Sequence, residues 1–213
     1  MMNENKQNST VARYEKEDLQ AAVKVLREGG IILYPTDTIW GIGCDATNEE
    51  AVRKIYALKQ REDTKSMLVL LDGAGKLQGY VQEVPDAAWT LLEAVAPVKE
   101  KDLRPEAEQR PLTIIYPGAK NLAKNLIAED GSVGIRITNE LFSKALCEQL
   151  HRPIVSTSAN ISGHATAKTF REIAEEIRNG VDYVCQYRQK DTTPKKPSSI
   201  IKVNLDNSFQ IIR

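Results

Sequence analysis

The chain has 213 residues, with 29 basic and 29 acidic side chains and three cysteines. The zero net charge gives no bulk attraction to nucleic acid or to a membrane, so any basic site has to be local. The cysteines share no CxxC or Cys/His spacing, which argues against a disulfide framework or a zinc site and fits a reducing cytoplasm. Neither an apolar leader nor an 18-residue apolar span occurs, so we predict neither secretion nor membrane insertion.

Helices and short apolar strands alternate along the chain. Helical periodicity predicts helices at residues 18–28, from Asn48 to about residue 60, and at 86–96, 120–128, 139–150 and 169–178. Apolar runs predict strands at residues 31–34, 67–71, 112–116, 133–137, 153–156, 183–185 and 200–203. This order predicts a single α/β domain over residues 1–213, in which helices flank one twisted, mostly mixed sheet. We expect a flexible N-terminus at residues 1–12 and a mobile loop at residues 189–197.

The first predicted strand runs into 35-PTDTIWGIG-43, where Pro35 removes a ladder donor and ends the strand. Thr36 and Thr38 are then placed to face a ligand, above a floor shaped by Trp40 and two glycines. Two alternatives remain open. The threonines also fit a turn that bonds its own backbone, and Trp40 also fits the ordinary core.

A second candidate segment is 59-KQREDTKSM-67, which places three cations, Lys59, Arg61 and Lys65, within seven residues. Lys59 and Arg61 also fit a simpler role at the negative end of the preceding helix. Because the segment leads into an apolar strand, we expect these cations beside the mouth of the sheet, where they suit a polyphosphate.

Two hydroxyl-rich segments complete the set. Ser156, Ser158 and Asn160 lie in 156-STSANISG-163 at the end of a strand, and Ser198 and Ser199 open the strand in 197-PSSII-201. Ordinary turn chemistry is the alternative for such segments. The chain has two histidines and no GxSxG elbow, so a Ser/His hydrolase fits poorly. Polar groups at several strand ends instead predict a cleft that binds a phosphorylated molecule and a small polar one.

In this order the segments resemble the YrdC-like family of threonylcarbamoyl-adenylate synthases. The resemblance rests on PT(D/E)T-aromatic-G, KxR with a further Lys, PLT, a VGIR-type strand, STSANxSG and a late PS(S/T). These motifs stand here at residues 35–41, 59–65, 111–113, 133–136, 156–163 and 197–199. STSANISG combined with KxR is specific, whereas PLT alone is not.

The resemblance implies a nucleotidyltransferase that makes L-threonylcarbamoyl-AMP and pyrophosphate from L-threonine, bicarbonate or CO2, and ATP, with Mg²⁺ carried on ATP. A separate threonylcarbamoyl transferase complex would then modify adenosine 37 of certain tRNAs. The implied fold is the YrdC-like α/β twisted open sheet with a positively lined cleft. The implied protein is cytoplasmic, holds no metal of its own and has no membrane partner.

The resemblance also implies roles for individual residues. Lys59 and Arg61 are expected to be catalytic and to hold phosphates together with Lys65, while Thr36 and Thr38 are expected to bind threonine. The rest of the ATP-binding set is Thr113, Arg136, Ser156, Ser158, Asn160, Ser198 and Ser199.

The identity of the amino-acid substrate stays open, because Leu70 stands where some family members have a threonine-contacting His. Further departures are residues 108–110, which are EQR in place of Trp-Pro-Gly, and Ser66 and Thr138 in place of prolines. A related synthase with another amino acid or carboxylate is therefore one alternative. Another is a family member that binds double-stranded RNA or tRNA without synthase activity, although balanced charge and 6% aromatic residues weigh against it.

Overall fold

The structure is a computed structural model, and it describes residues 14–61, 67–95, 111–193, 195 and 197–213. The helices within these ranges are α1 (Lys16–Arg27), α2 (Glu49–Leu58), α3 (Asp86–Val95), α4 (Leu141–Leu150) and α5 (Glu175–Gly180). The strands are β1 (Ile32–Tyr34), β2 (Gly41–Gly43), β3 (Leu68–Leu71), β4 (Leu112–Tyr116), β5 (Val133–Ile137), β6 (Ile154–Ser158), β7 (Tyr183–Val184), β8 (Ser199–Val203) and β9 (Phe209–Ile211).

The strands of the described ranges form one sheet in the order β7-β1-β2-β6-β3-β5-β4-β8-β9. The pairs β1–β7, β3–β5 and β4–β8 are parallel, and the other neighbours are antiparallel. The predicted α/β class with a mixed sheet flanked by helices is therefore confirmed. Because β6 inserts between β2 and β3, its end lies beside strands from the first third of the chain.

Apolar side chains cover both faces of the sheet, as the wholly apolar strands predict. On one face α1 and α4 pack over Ile32, Leu70 and Ile154. The other face carries the larger core, which includes Val52 and Ile55 from α2. Alternate residues of each strand point to opposite faces, so β3 supplies Leu70 to one core and Val69 and Leu71 to the other.

Local capping signals account for the first two helices. Asn48 accepts a hydrogen bond from the backbone N–H of Ala51 at 3.1 Å, so the predicted N-cap of α2 is confirmed. Gly29 follows α1 with a φ of +76°, a conformation that suits glycine at the end of a helix.

The predicted helix at residues 120–128 is wrong, because only a 3₁₀ turn forms there, at Lys124–Leu126. The backbone N–H groups of Lys120 and Ala123 donate to the carbonyls of Tyr80 and Ala46, so distant segments take the hydrogen bonds that a helix would need. Such tertiary partners override a helical pattern of side chains.

The predicted helix at residues 169–178 is interrupted. A 3₁₀ turn at Phe170–Glu172 and α5 are separated by Ile173 and Ala174, which have extended backbone with ψ of 125° and 144°. Thr169 Oγ1 donates to Glu172 Oε1 at 3.1 Å, but the Thr169 side chain makes no hydrogen bond to the backbone of the turn.

Strands β2 and β9 were not predicted, because β2 is three residues with two glycines and β9 is exposed at the sheet edge. The expected flexible segment, residues 1–12, lies outside the described residues, and mobility of residues 189–197 stays a prediction. Within the described part of the chain, the helices are too short and too polar to cross a membrane.

We expect Gly43→Ala to destabilise the fold by about 1–3 kcal/mol, because a Cβ there would meet the Val155 carbonyl oxygen at 2.7 Å and Tyr34 Cε1 at 2.6 Å. Gly134→Ala is the matched control, since its Cβ would find nothing nearer than 3.5 Å. The control should leave the free energy of unfolding unchanged or raise it by up to about 1 kcal/mol. Urea denaturation measures both variants, and equal losses would contradict the assignment of Gly43 to a close strand contact.

Candidate functional site

Lys59 joins two of the segments that the sequence singled out. Its ammonium group donates to the main-chain carbonyls of Ser158 and, at 2.6 Å, of Asn160. The backbone N–H of Ser162 returns a hydrogen bond of 2.8 Å to the Lys59 carbonyl. The KQR and STSAN loops therefore lie together, as the prediction of one shared cleft requires.

The geometry of the end of α2 aims this lysine. Gln60 takes a left-handed φ of 49°, and the N–H of Arg61 donates to the carbonyl of Tyr56 at 3.0 Å. These are the features of a Schellman motif, which turns the chain sharply after a helix. Lys59 is thereby directed inward, and its residue surface is only 1% exposed.

Burial changes the protonation of this lysine. Removal from water lowers the pKa of the Lys59 ammonium to about 8, and the positive charge of Arg61 adds to that shift. Burial also lowers the pKa of the Arg61 guanidinium. Two adjacent cations held in a partly dehydrated loop favour an anionic ligand between them.

The Thr36–Thr38 segment hydrogen-bonds to its own backbone, so the alternative of a self-bonded turn is confirmed for these two threonines. Thr36 Oγ1 donates to the carbonyl of Ile39 at 2.6 Å and accepts from the backbone N–H of Thr38 at 3.1 Å. The two threonine hydroxyl oxygens lie 3.0 Å apart. These internal hydrogen bonds therefore fix the conformation of the turn before any ligand binds.

Arg136 contacts this turn. Its Nη1 donates to Asp37 Oδ1 at 3.0 Å and to Thr38 Oγ1 at 3.3 Å. Burial raises the pKa of the Asp37 carboxyl, and the charge of Arg136 opposes that shift. Arg136 is 3% exposed, so a full positive charge is held in the interior beside the turn.

The segment with Ser198 and Ser199 lies next to β4, the strand that pairs with the Arg136 strand β5. Thr113 is the register partner of Arg136 across β4 and β5, and its hydroxyl donates to Ser198 Oγ at 3.2 Å. Ser199 begins β8 opposite Leu112. Thr113 is therefore one strand away from the buried guanidinium, and Ser198 is two strands away.

The STSAN segment contacts the Thr36 turn across Gly41. A Cβ on Gly41 would lie 3.2 Å from Thr36 Cγ2 and 3.5 Å from Ser156 Oγ, so this glycine lets the two segments approach. Asn160 donates from Nδ2 to the carbonyls of Ile161 and His164. Within the described part of the chain, Oδ1 of Asn160 and Nε of Arg136 are buried without a hydrogen-bond partner. Buried polar atoms of this kind are commonly satisfied by a ligand or by water.

A small cleft of about 20 Å³ opens along the Thr36–Thr38 turn. Trp40 lines it and is also 6% exposed in the core, in contact with Phe170 at a ring distance of 4.8 Å, so both interpretations of Trp40 apply. The other lining side chains include Lys168, Arg188, Asp191 and Lys195. They carry both signs of charge, and a positively lined cleft stays a prediction.

The cations that line the cleft were not predicted as site residues, because an isolated Lys or Arg in a polar loop has no characteristic spacing in the sequence. Conversely, Leu70 does not line the cleft, since it is fully buried with α1 and α4. Lys65, Ser66 and residues 108–110 lie outside the described residues.

Three kinds of comparison bear on the family. The Sua5/YciO/YrdC family model, described as "Telomere recombination", matches residues 24–213. The threonylcarbamoyl-AMP synthase of Pseudoalteromonas translucida (strain TAC 125) is 31% identical over 169 residues, which cover 79% of this chain and 85% of that protein.

Solved structures share the fold. P. abyssi Sua5 complexed with L-threonine superposes with a TM-score of 0.79 at 22% identity, covering 95% of this chain and 55% of that chain. E. coli YciO superposes with a TM-score of 0.75 at 24% identity, covering 93% and 89%. This chain therefore spans about half of that Sua5 protein and most of YciO. Because the family model matches residues 24–213 and the P. translucida relative is 31% identical over 79% of this chain, the chain belongs to the Sua5/YciO/YrdC family.

Proposed function

We propose that this chain is an L-threonylcarbamoyladenylate synthase, which makes threonylcarbamoyl-AMP and pyrophosphate from L-threonine, bicarbonate or CO2, and ATP. The P. translucida relative is named threonylcarbamoyl-AMP synthase, and the P. abyssi Sua5 crystal contains L-threonine. In this chain the observation that carries the proposal is the junction of its two specific motifs at Lys59. The product would supply a separate transferase complex that forms N6-threonylcarbamoyladenosine in tRNA.

The reaction class is nucleotidyl transfer. The amine of threonine forms a C–N bond with CO2, and an oxygen of the resulting N-carboxylate attacks the α-phosphorus of ATP. The bond from this phosphorus to the bridging oxygen breaks, and pyrophosphate leaves with the electron pair. No protein nucleophile is required, so positioning and charge neutralisation supply the acceleration.

The Lys59 loop would hold the triphosphate. The Lys59 ammonium has three N–H groups, two of which are donated to carbonyls, so one is left for a phosphate oxygen. Arg61 and Lys65 would add charge on the same loop. The free acceptor of Asn160 suits a donor on the adenosine, and Ser156, Ser158, Thr113, Ser198 and Ser199 complete the proposed nucleotide site.

Arg136 would act where the two substrates meet. It contacts the Thr36–Thr38 turn, which is the proposed threonine site, and its unpartnered Nε is available to an anion. A buried guanidinium there would neutralise the N-carboxylate and the α-phosphate together. Mg²⁺ would enter on ATP and keep several waters, and the part of the chain that is described contains no group of three side chains suited to hold a metal ion.

The direct test is pyrophosphate release from ATP, which should require both L-threonine and bicarbonate. L-Serine in place of L-threonine should give a much lower kcat/KM, since the proposed site includes two threonines preset for one small ligand. A preference for another amino acid would favour the related-synthase alternative. Salt-sensitive RNA binding, with no thermal stabilisation by ATP or threonine, would favour the RNA-binding module and contradict the proposal.

Arg61→Ala should lower kcat/KM by about 100-fold, which corresponds to about 3 kcal/mol of transition-state stabilisation. The reason is the loss of one preorganised cation at the triphosphate. Arg53→Ala is a matched control on α2, the helix that precedes Arg61, because Arg53 forms an exposed i,i+3 pair with Glu50. Steady-state pyrophosphate release measures both variants, and wild-type activity of Arg61→Ala would refute the role of Arg61.

The affinity for ATP should weaken as the pH rises past about 8, the pKa of Lys59. Above its pKa the lysine is neutral, so a site that binds ATP through the ammonium should show a Kd about tenfold higher at pH 9 than at pH 7. The terminal phosphate of ATP gains negative charge as the pH rises, which would strengthen binding and so does not produce the expected loss of affinity. Isothermal calorimetry with Lys59→Gln is the control, because glutamine does not titrate, and an unchanged pH dependence in that variant would exclude Lys59 as the titrating group.

A further inference from the structure

Arg188 lies outside every motif that the sequence singled out, yet it holds the Thr36–Thr38 turn in place. Its Nη1 donates to the main-chain carbonyl of Thr36 at 3.1 Å. Its Nε and Nη2 donate to Asp191 Oδ2 at 3.0 and 2.8 Å, which fixes the plane of the guanidinium. Nη1 also lies 3.6 Å from Glu140 Oε1.

The same turn is supported from α4. Glu140 caps this helix by accepting from the backbone N–H of Ser143 at 2.8 Å, and the Ser143 hydroxyl lies 3.3 Å from the Pro35 carbonyl oxygen. Glu140 is therefore a common partner of Arg188 and Ser143. The Ser143 hydroxyl donates its one proton to Glu140 Oε2 at 2.6 Å, so Glu140 orients Arg188 beside the Thr36 carbonyl and Ser143 beside the Pro35 carbonyl.

The loop that carries Arg188 is itself anchored. Asp18 of α1 is 4% exposed, and its carboxylate accepts from the backbone N–H groups of Gln186 and Tyr187 at 2.9–3.0 Å. Tyr187 also stacks on Phe142 of α4 at a ring distance of 5.5 Å. Arg188 has a φ of +63°, a conformation that is uncommon for a residue other than glycine. Such a backbone is kept when the surroundings determine it, and here they aim one side chain at one carbonyl.

We infer that Arg188 is a positioning residue for the amino-acid site: it sets the Thr36–Thr38 turn through the Thr36 carbonyl, with Asp191 and Glu140 orienting its guanidinium. The expected change in the KM for threonine rests on the proposed function. The expected change in the structure of the turn does not. Three N–H groups of one rigid fork are used at once, which a lysine ammonium on a flexible stem cannot reproduce.

A direct role is the competing explanation, because Arg188 also lines the cleft and is a cation. If Arg188 bound the carboxylate of the substrate through its charge, a lysine would replace it in large part. Asp191→Asn would then leave threonine binding unchanged or improve it, since a competing negative charge is removed. A positioning role predicts the opposite for both variants.

The kinetic test compares Arg188→Ala, Arg188→Lys and Asp191→Asn in threonine-dependent pyrophosphate release. We expect the KM for threonine to rise about tenfold in both Arg188 variants and several-fold in Asp191→Asn, with the KM for ATP within about twofold of wild type. Arg178→Ala is the matched control, since Arg178 lies on α5 and forms a 3.9 Å pair with Glu175 of the same helix. Rescue by lysine, or an unchanged KM for threonine in Arg188→Ala, would overturn the inference.

The structural test does not depend on the reaction. Hydrogen exchange followed by mass spectrometry on peptides covering residues 32–42 should show faster exchange at the Thr38 amide, which is bonded to Thr36 Oγ1, in both Arg188 variants and not in Arg178→Ala. Unchanged exchange would overturn the positioning role even if the enzyme is a synthase. A wild-type chain without threonine-dependent activity would refute the proposed function and leave the exchange comparison to decide the role of Arg188.

Discussion

One buried ammonium group, that of Lys59, connects two loops that the chain separates by about 100 residues. Its partners, the carbonyls of Ser158 and Asn160, are 99 and 101 residues away in sequence. Taking a lysine out of water costs free energy unless its N–H groups are satisfied, so the two loops are held in one relative position. The proposed nucleotide site depends on this constraint, because neither loop binds a triphosphate in a defined geometry alone.

A second buried cation organises the other half of the site. Arg136 extends from the central part of the sheet to the Thr36–Thr38 turn, where Asp37 compensates its charge. Arg188 holds the opposite side of the same turn through a main-chain carbonyl. The turn is thus fixed by contacts with β5, with α4 and with the loop after β7. A small polar substrate needs such preorganisation, since it offers few contacts with which to order a flexible loop.

The strand order explains why these groups meet. The placement of β6 between β2 and β3 brings the STSAN segment beside both the Thr36 turn and the end of α2. Gly43 permits that approach, because a side chain there would collide with β1 and β6, and Gly41 leaves room for the close approach of the Thr36 turn and β6. The chemistry proposed for this family member, transfer without a protein nucleophile, suits a site built from several short segments that carry charge and hydroxyl groups.

Most strands, the first four helices and the members of the motifs were predictable from the sequence, because apolar periodicity, caps and local polar motifs are properties of neighbouring residues. The helix expected at residues 120–128 failed, since Ala46 and Tyr80 take its backbone hydrogen bonds. The tertiary structure alone decided three features. They are the assignment of Arg136 to the proposed threonine turn, the burial of Leu70 away from the cleft and the role inferred for Arg188. Each depends on which distant groups the sheet order places within hydrogen-bond distance, and no local pattern of residues encodes that.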